Sequence, residues 1–160
     1  MATKTTLRAE IRGRRRARRA LPSPQMGTRS SHTDQAPLPA RHRAEAEGIA
    51  SQVRALASSM GGVALPALFV PTPLEPDISL TLGLFERALL PVLRNEAGDA
   101  LGEPCWGLWE AGSALATPGP PPAQPAGEAL RSEALAGADL ILIPALAASE
   151  DGTRLGQGGG

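Results

Sequence analysis

Residues 154–160 read Arg-Leu-Gly-Gln-Gly-Gly-Gly, an arginine closely followed by four glycines in five residues. Glycine accepts positive φ, so a glycine run turns consecutive N–H groups onto one anion. Arg154 would add a bidentate donor for phosphate. The same composition also describes a flexible tail. The run is no Walker loop, because the Lys-Ser/Thr pair is absent, and it does not complete Gly-x-Gly-x-x-Gly within the sequence. A second candidate is the pair Lys4 and Arg8. Four residues apart on a helix, they point from one face, one turn apart. They read as contacts to a nucleotide phosphate, as a nucleic-acid-binding surface or as a solvated face. The third is Pro-Thr-Pro-Leu-Glu-Pro-Asp, 71–77, where Glu75 and Asp77 follow a strand. Ligands bind beyond the carboxyl ends of strands in open α/β sheets, and an acid there would hold amino groups of a heterocycle or a cation. The plainer reading is a rigid turn with two solvated acids.

Other reactive residues offer less. His32 and His42 have no Cys or carboxylate partners at metal-binding spacing. Cys105 beside Trp106 reads as a small buried residue, and Trp106 and Trp109 read as core. No Ser-His-Asp arrangement or Gly-x-Ser-x-Gly motif is present.

The elements that must position these groups are legible in outline. Residues 4–20 predict a helix with Leu7, Ile11 and Ala17 on a narrow apolar side, ended by Pro22 and Pro24. Residues 22–39 predict a loop from their Pro, Ser and Gly content. Ile49, Val53, Leu56 and Met60, spaced by four, three and four, predict an amphipathic helix over 40–60, stopped at Gly61-Gly62. Residues 63–70 predict a short strand in which Pro66 argues for an edge position, a bulge or a late start. A helix is expected over 78–88, then strands over 89–93 and, more weakly, 105–110. The proline-rich stretch 117–125 is extended. A short helix over 128–135 precedes the clearest strand, 138–146, which is apolar on both faces. Strands alternating with helices predict a single α/β domain over 1–160, with a largely parallel sheet flanked by helices.

Composition narrows the class. One domain is expected from 160 residues. Formal net charge is zero, yet residues 1–20 carry Lys4 and seven Arg against Glu10, a net of +7, which leaves −7 on the remainder. A basic arm on an acidic body suits a polyanionic ligand. One cysteine excludes an internal disulfide framework and fits a reducing compartment. The start has no apolar signal-peptide core, and no run reaches membrane-span length. A cytoplasmic location is expected, although the Arg-rich, acid-poor start also has the composition of a transit peptide.

Taken in order, Lys-Thr-Thr-Leu-Arg at 4–8, Val-Pro-Thr-Pro-Leu-Glu-Pro-Asp at 70–77, Trp-Glu-Ala-Gly-Ser-Ala-Leu at 109–115 and the segment 138–160 resemble the 5-formyltetrahydrofolate cyclo-ligase (5,10-methenyltetrahydrofolate synthetase) family. The last segment carries the resemblance furthest. It implies a single α/β domain and an ATP- and magnesium-dependent ligase of one-carbon metabolism. The reaction it implies cyclises 5-formyltetrahydrofolate to 5,10-methenyltetrahydrofolate through a phosphorylated formyl group, releasing ADP and phosphate. Such chemistry depends on positioning and charge neutralisation, which suits the lack of a protein nucleophile. By resemblance, Lys4, Arg8, Arg154, Gly156, Gln157, Gly158, Gly159 and Gly160 bind ATP, and Arg154 is also catalytic. Val70, Glu75 and Gln157 contact the folate, whose glutamate tail is of unspecified length. The other arginines, Arg12 to Arg19, receive no role and read as a solvated face. The protein is expected to act as a monomer.

The sequence departs from the family pattern in three places. The aromatic pair, the magnesium-linked Asp and the last strand that follow the glycines in the family are not found after Gly160, so the chain is expected to be incomplete there, with an exposed sheet edge and no assigned metal ligand. The stretch between Glu75 and Leu89 is short, so one turn of helix or a loop is expected to be lost in it. The proline-rich segment stands where a more ordered one carries a Glu-Pro pair. Two alternatives lie in other classes: a non-catalytic nucleotide- or folate-binding homologue, and a basic-arm RNA-binding protein.

Overall fold

The computed structural model describes residues 3–20, 40–120 and 122–156. The loop expected over 22–39 and the end of the glycine run, 157–160, lie outside the described residues. The first helix, α1 (Lys4–Ala20), matches its expected span. It starts at Thr3, whose hydroxyl accepts the Thr6 N–H at 3.2 Å and so pairs one of the helix's orphan donors. The face it docks differs from the expected one. Leu7 and Ala17 are exposed, while Arg8, Ile11, Arg12 and Arg15 are half-buried at i, i+3, i+4 and i+7.

The second helix, α2 (Ala40–Ser59), is anchored by apolar packing. Ala46, Ala50 and Val53 are buried and Ile49 is half-buried against the core. Leu56 and Met60, expected on that stripe, are 48% and 47% exposed. The buried stripe runs through alanines instead, because small residues allow close approach. The helix ends as expected at the glycine pair. Gly61 takes φ +82°, with Gly62 N–H bonded to Ala57 O and Gly61 N–H to Ser58 O. This double return satisfies the last carbonyls only where a residue adopts the left-handed conformation.

The main sheet has four hydrogen-bonded strands. Its strands are β1 (Pro66–Ala67), β2 (Arg87–Arg94), β3 (Ala100–Glu110) and β6 (Leu140–Ile141). β1 lies between β2 and β6 and is parallel to both; β2 and β3 are antiparallel. The sheet is therefore mixed and mostly parallel by pairing, as expected. The weak strand candidate at 105–110 proves the longest strand. The helix expected over 78–88 shrinks to one turn, α3 (Ser79–Leu82), since the chain must reach β2 at Arg87. β1 starts late, at Pro66, one of the positions that proline suggested, but it lies inside the sheet and not at an edge; a proline is tolerated as the first residue of a strand.

One sheet face holds the core. Leu68, Ala88, Leu90 and Trp109 cluster there with Ile78, and Leu142 packs against them. On the other face the register aligns Leu108, Leu89, Ala67 and Ile141 across four strands. Leu89 and Ala67 in the middle are buried, while Leu108 and Ile141 at the ends are 44% and 46% exposed. The strand expected over 138–146 is thus corrected to two residues at a sheet edge among the described residues, with Ile141 and Ile143 exposed. Burial on both faces needs neighbours that an edge lacks.

The proline-rich stretch links two short strands, β4 (Leu115–Ala116) and β5 (Gln124–Pro125), which pair antiparallel. Its order comes from Gln124, 6% exposed. β2 is irregular between Val92 and Arg94. There the Gln124 carbonyl accepts the Leu93 and Arg94 N–H groups at 3.1 Å each, and its amide donates to Arg94 O at 2.8 Å. One side chain thereby repairs the backbone pairing that the irregularity breaks. In the β2–β3 turn, Gly98 has φ +90°, and a Cβ there would sit 2.5 Å from Pro118 O. Only glycine fits. The short helix expected over 128–135 is a single 3-10 stretch, Ser132–Gly137. At the opposite end of the sheet from the loop at 71–77, the Asp139 carboxylate accepts Ala64 and Leu65 N–H at 2.7 and 2.9 Å. These two bonds hold its pKa below the ordinary value. No helix among the described residues is long and apolar enough to cross a membrane.

Candidate active site

The functional candidates gather where β1 and β6 give way to loops. After β6 the chain forms a small hairpin of β7 (Ala147–Ala148) and β8 (Arg154–Leu155). A short loop is expected before the glycines; the hairpin stands in its place, and the local chemistry explains why. Ser-Glu-Asp-Gly-Thr supplies a turn in which Asp151 accepts the Thr153 N–H at 2.8 Å and the Ser149 hydroxyl. Gly152 takes φ +84°. The Ser149 hydroxyl, then the Thr153 N–H, hold the Asp151 carboxyl below its usual pKa. The hairpin carries Arg154, which is exposed, and delivers Gly156 to α1.

There Arg8 donates from Nε to Gly156 O at 3.1 Å, across 148 residues of sequence. The two halves singled out in the sequence, the basic helix and the glycine run, are therefore in direct contact. Lys4, exposed, lies one turn earlier on the same face of α1. Lys4, Arg8 and Arg154 place three cations on the two elements that meet at Gly156. A Cβ added at Gly156 would meet nothing within 4 Å, so space remains beside it. Cations with open space suit an anionic phosphate group. Gln157, Gly158, Gly159 and Gly160 lie outside the described residues.

Seven residues along α1, about 10.5 Å at helical rise, Arg15 makes a second contact. Its Nη1 donates to Leu74 O at 3.1 Å, and its Nη2 to Ala145 O at 2.7 Å and Leu146 O at 3.1 Å. The solvated face expected for Arg12–Arg19 is corrected here: Arg15 is half-buried and tied to two loops. The sequence signal was spacing, since Lys4, Arg8, Ile11 and Arg15 share one face. Loop carbonyls without ladder partners need donors, and a guanidinium serves several at once. Arg14, by contrast, forms an exposed i,i+4 pair with Glu10 at 2.6 Å, a contact of little consequence for stability.

Glu75 is held firmly. Its Oε2 accepts the Thr72 N–H and hydroxyl, both at 2.8 Å, while Glu75 N–H bonds Thr72 O at 3.0 Å. It lines a cavity of about 430 Å³ together with Ile11 and Arg15 of α1, His42 and Glu45 of α2, and Leu146. Asp77 proves structural, accepting Ser79 N–H at 2.9 Å at the start of α3. Val70 is half-buried against the core cluster, beyond the end of β1. Sequence reasoning missed His42 and Glu45 as cavity residues; only the fold, which brings α1 and α2 to one cavity, reveals them.

The chain is similar to known proteins in sequence and in fold. The model of the 5-formyltetrahydrofolate cyclo-ligase family matches residues 1–160. The 5-formyltetrahydrofolate cyclo-ligase of Mycolicibacterium smegmatis is 39% identical over 104 residues, covering 58% of this chain and 49% of that protein. The chain spans about half the length of that curated relative. The NMR structure of Aquifex aeolicus 5,10-methenyltetrahydrofolate synthetase matches with a TM-score of 0.66 at 20% identity, over 98% of this chain and 68% of the other. That match is a likeness of fold.

Proposed function

This chain belongs to the 5-formyltetrahydrofolate cyclo-ligase family, and from that premise we propose that it is an ATP-dependent ligase closing 5-formyltetrahydrofolate to 5,10-methenyltetrahydrofolate. The observation that carries the reading is the bond from Arg8 to Gly156. It brings a cationic helix face to the glycine run, as a phosphate site requires. ATP supplies the phosphoryl group that makes the formyl oxygen a leaving group; N10 of the folate then attacks the formyl carbon, and phosphate departs. The chain's task is to neutralise phosphate charge and align the two substrates.

In this reading Lys4, Arg8 and Arg154 neutralise the phosphates, and the backbone from Gly156 to Gly160 donates N–H groups. Arg154, exposed on β8, is free to follow the transferring phosphoryl group. Glu75, pre-oriented by Thr72, accepts N–H groups of the folate, with Val70 and Gln157 as further contacts. Among the described residues no three His, Cys, Asp or Glu side chains gather into a metal site. Magnesium, which the family reading implies, would arrive with ATP and help neutralise the charge on its phosphates. The reading assigns the protein to the cytoplasm, as a monomer with its single thiol reduced.

The test follows absorbance in the methenyl-folate band with 5-formyltetrahydrofolate and Mg-ATP. ATP-dependent growth is expected, abolished in Arg154→Ala and weakened in Glu75→Ala. A flat trace with ATP or folate still bound would instead identify a non-catalytic binding homologue. A flat trace with neither bound would sink the family function for this chain and make salt-dependent RNA binding the next measurement.

A further inference from the structure

Arg15 contacts no group assigned to either substrate, yet it joins the segments that carry both. Leu74 O belongs to the turn that orients Glu75. Ala145 O and Leu146 O open the hairpin that leads to Arg154 and Gly156. The two segments are more than 70 residues apart in sequence. The guanidinium reaches both because its fork is planar and has separate donors. Nη1 serves the first segment, and Nη2 serves both carbonyls of the second. Arg8, on the same helix, holds the far end of the hairpin at Gly156. The hairpin is thus fixed to α1 at both ends, and the Glu75 turn to α1 at one.

We propose that Arg15 is a positioning residue which sets the distance between the folate-holding turn and the phosphate-binding hairpin. This rests on the ligase reading above. Each substrate would bind to its own segment without Arg15, but the formyl oxygen and the phosphoryl group would no longer be held in register. An ammonium cannot reproduce the fork. Arg15→Lys retains a donor for Ala145 and Leu146, which share one nitrogen, and loses the link to Leu74.

The full chain is compared with Arg15→Ala and Arg15→Lys in three measurements. These are turnover, separate binding of 5-formyltetrahydrofolate and of a non-hydrolysable ATP analogue, and hydrogen exchange of the Glu75 and Leu146 amides, bonded to Thr72 O and Leu155 O. For Arg15→Ala, kcat is expected to fall on the order of 10²-fold while each separate affinity stays within about threefold. Both amides should exchange faster, with far-ultraviolet circular dichroism unchanged. Arg15→Lys should recover slow exchange at Leu146 but not at Glu75, and only part of kcat. A kcat within threefold of the parent overturns the proposal. So does a joint loss of folding and both affinities with turnover per folded molecule preserved, which marks a merely structural contact. If the parent chain itself is silent, the ligase reading falls and exchange alone judges the link. Unchanged exchange in Arg15→Ala then refutes it, and faster exchange at both amides upholds it.

Discussion

The helices α1 and α2 are of similar length and attach to the body by opposite means. α2 presents Ala46, Ile49, Ala50 and Val53 to the core and exposes Arg43, Glu45, Glu47 and Arg54. α1 exposes Leu7 and docks Arg8 and Arg15 onto backbone carbonyls of loops. Apolar packing is non-directional and supplies stability through burial. Guanidinium–carbonyl bonds contribute less net stability, because water competes for both partners, but they fix atoms at stated distances. α2 is therefore held by the core, and α1 by the loops of the candidate site. The long arginine stems also cover apolar surface while their heads stay polar, so α1 needs no leucine stripe to dock.

The contrast breaks most visibly from the α2 side. Val53→Asp places a carboxylate in the packed stripe, where burial of an unpaired charge is severely destabilising, by about 4 kcal/mol or more. Urea denaturation should show a folded population largely lost. From the α1 side, Arg8→Ala should lower kcat/KM on the order of 10²-fold while leaving the melting temperature nearly unchanged. Comparable damage to both helices' stability would erase the distinction.

A smaller effect comes from Asp139, at the end of the sheet remote from α1. Its pKa is depressed below 3.8 by the Leu65 and Ala64 N–H groups. A depressed carboxylate adds stability that is present in full above the unfolded value and is lost as pH falls through the folded one. Asp139→Asn should therefore melt below the parent at neutral pH, and the gap should close under acid conditions below 3.8. Equal gaps at all pH values would show that the carboxylate's charge contributes nothing. The smallest effect is expected at Leu56, 48% exposed on α2. Leu56→Lys should change stability by no more than about 0.5 kcal/mol, whereas a large loss would restore the stripe its spacing suggested.

Much of the candidate site was legible because its signals are local. Lys4 and Arg8 are one helical turn apart whatever the helix touches. Glu75 lies in a proline-bound turn, and the Asp-Gly step of the β7–β8 hairpin was a readable turn signal that the glycine run overshadowed. Arg15 was not legible as a contact. Its partners are carbonyls, which carry no residue identity, and they lie 59 to 131 residues away.

Short-range sterics and hydrogen bonding settle where the chain turns helical, so the spans of α1 and α2 and the stop at Gly61 follow from residue types and spacing; the proline-rich stretch, expected to be extended, instead bends back between β4 and β5. The ordered motifs of the sequence also determined the family. The faces those helices bury depend instead on their neighbours in the fold. Leu7, Leu56 and Ile143 are apolar and exposed, while Arg8 and Arg15 are charged and partly buried. Burial depends on what an approaching element leaves unsatisfied: α2 meets the apolar side of a sheet, and α1 meets carbonyls that lack donors.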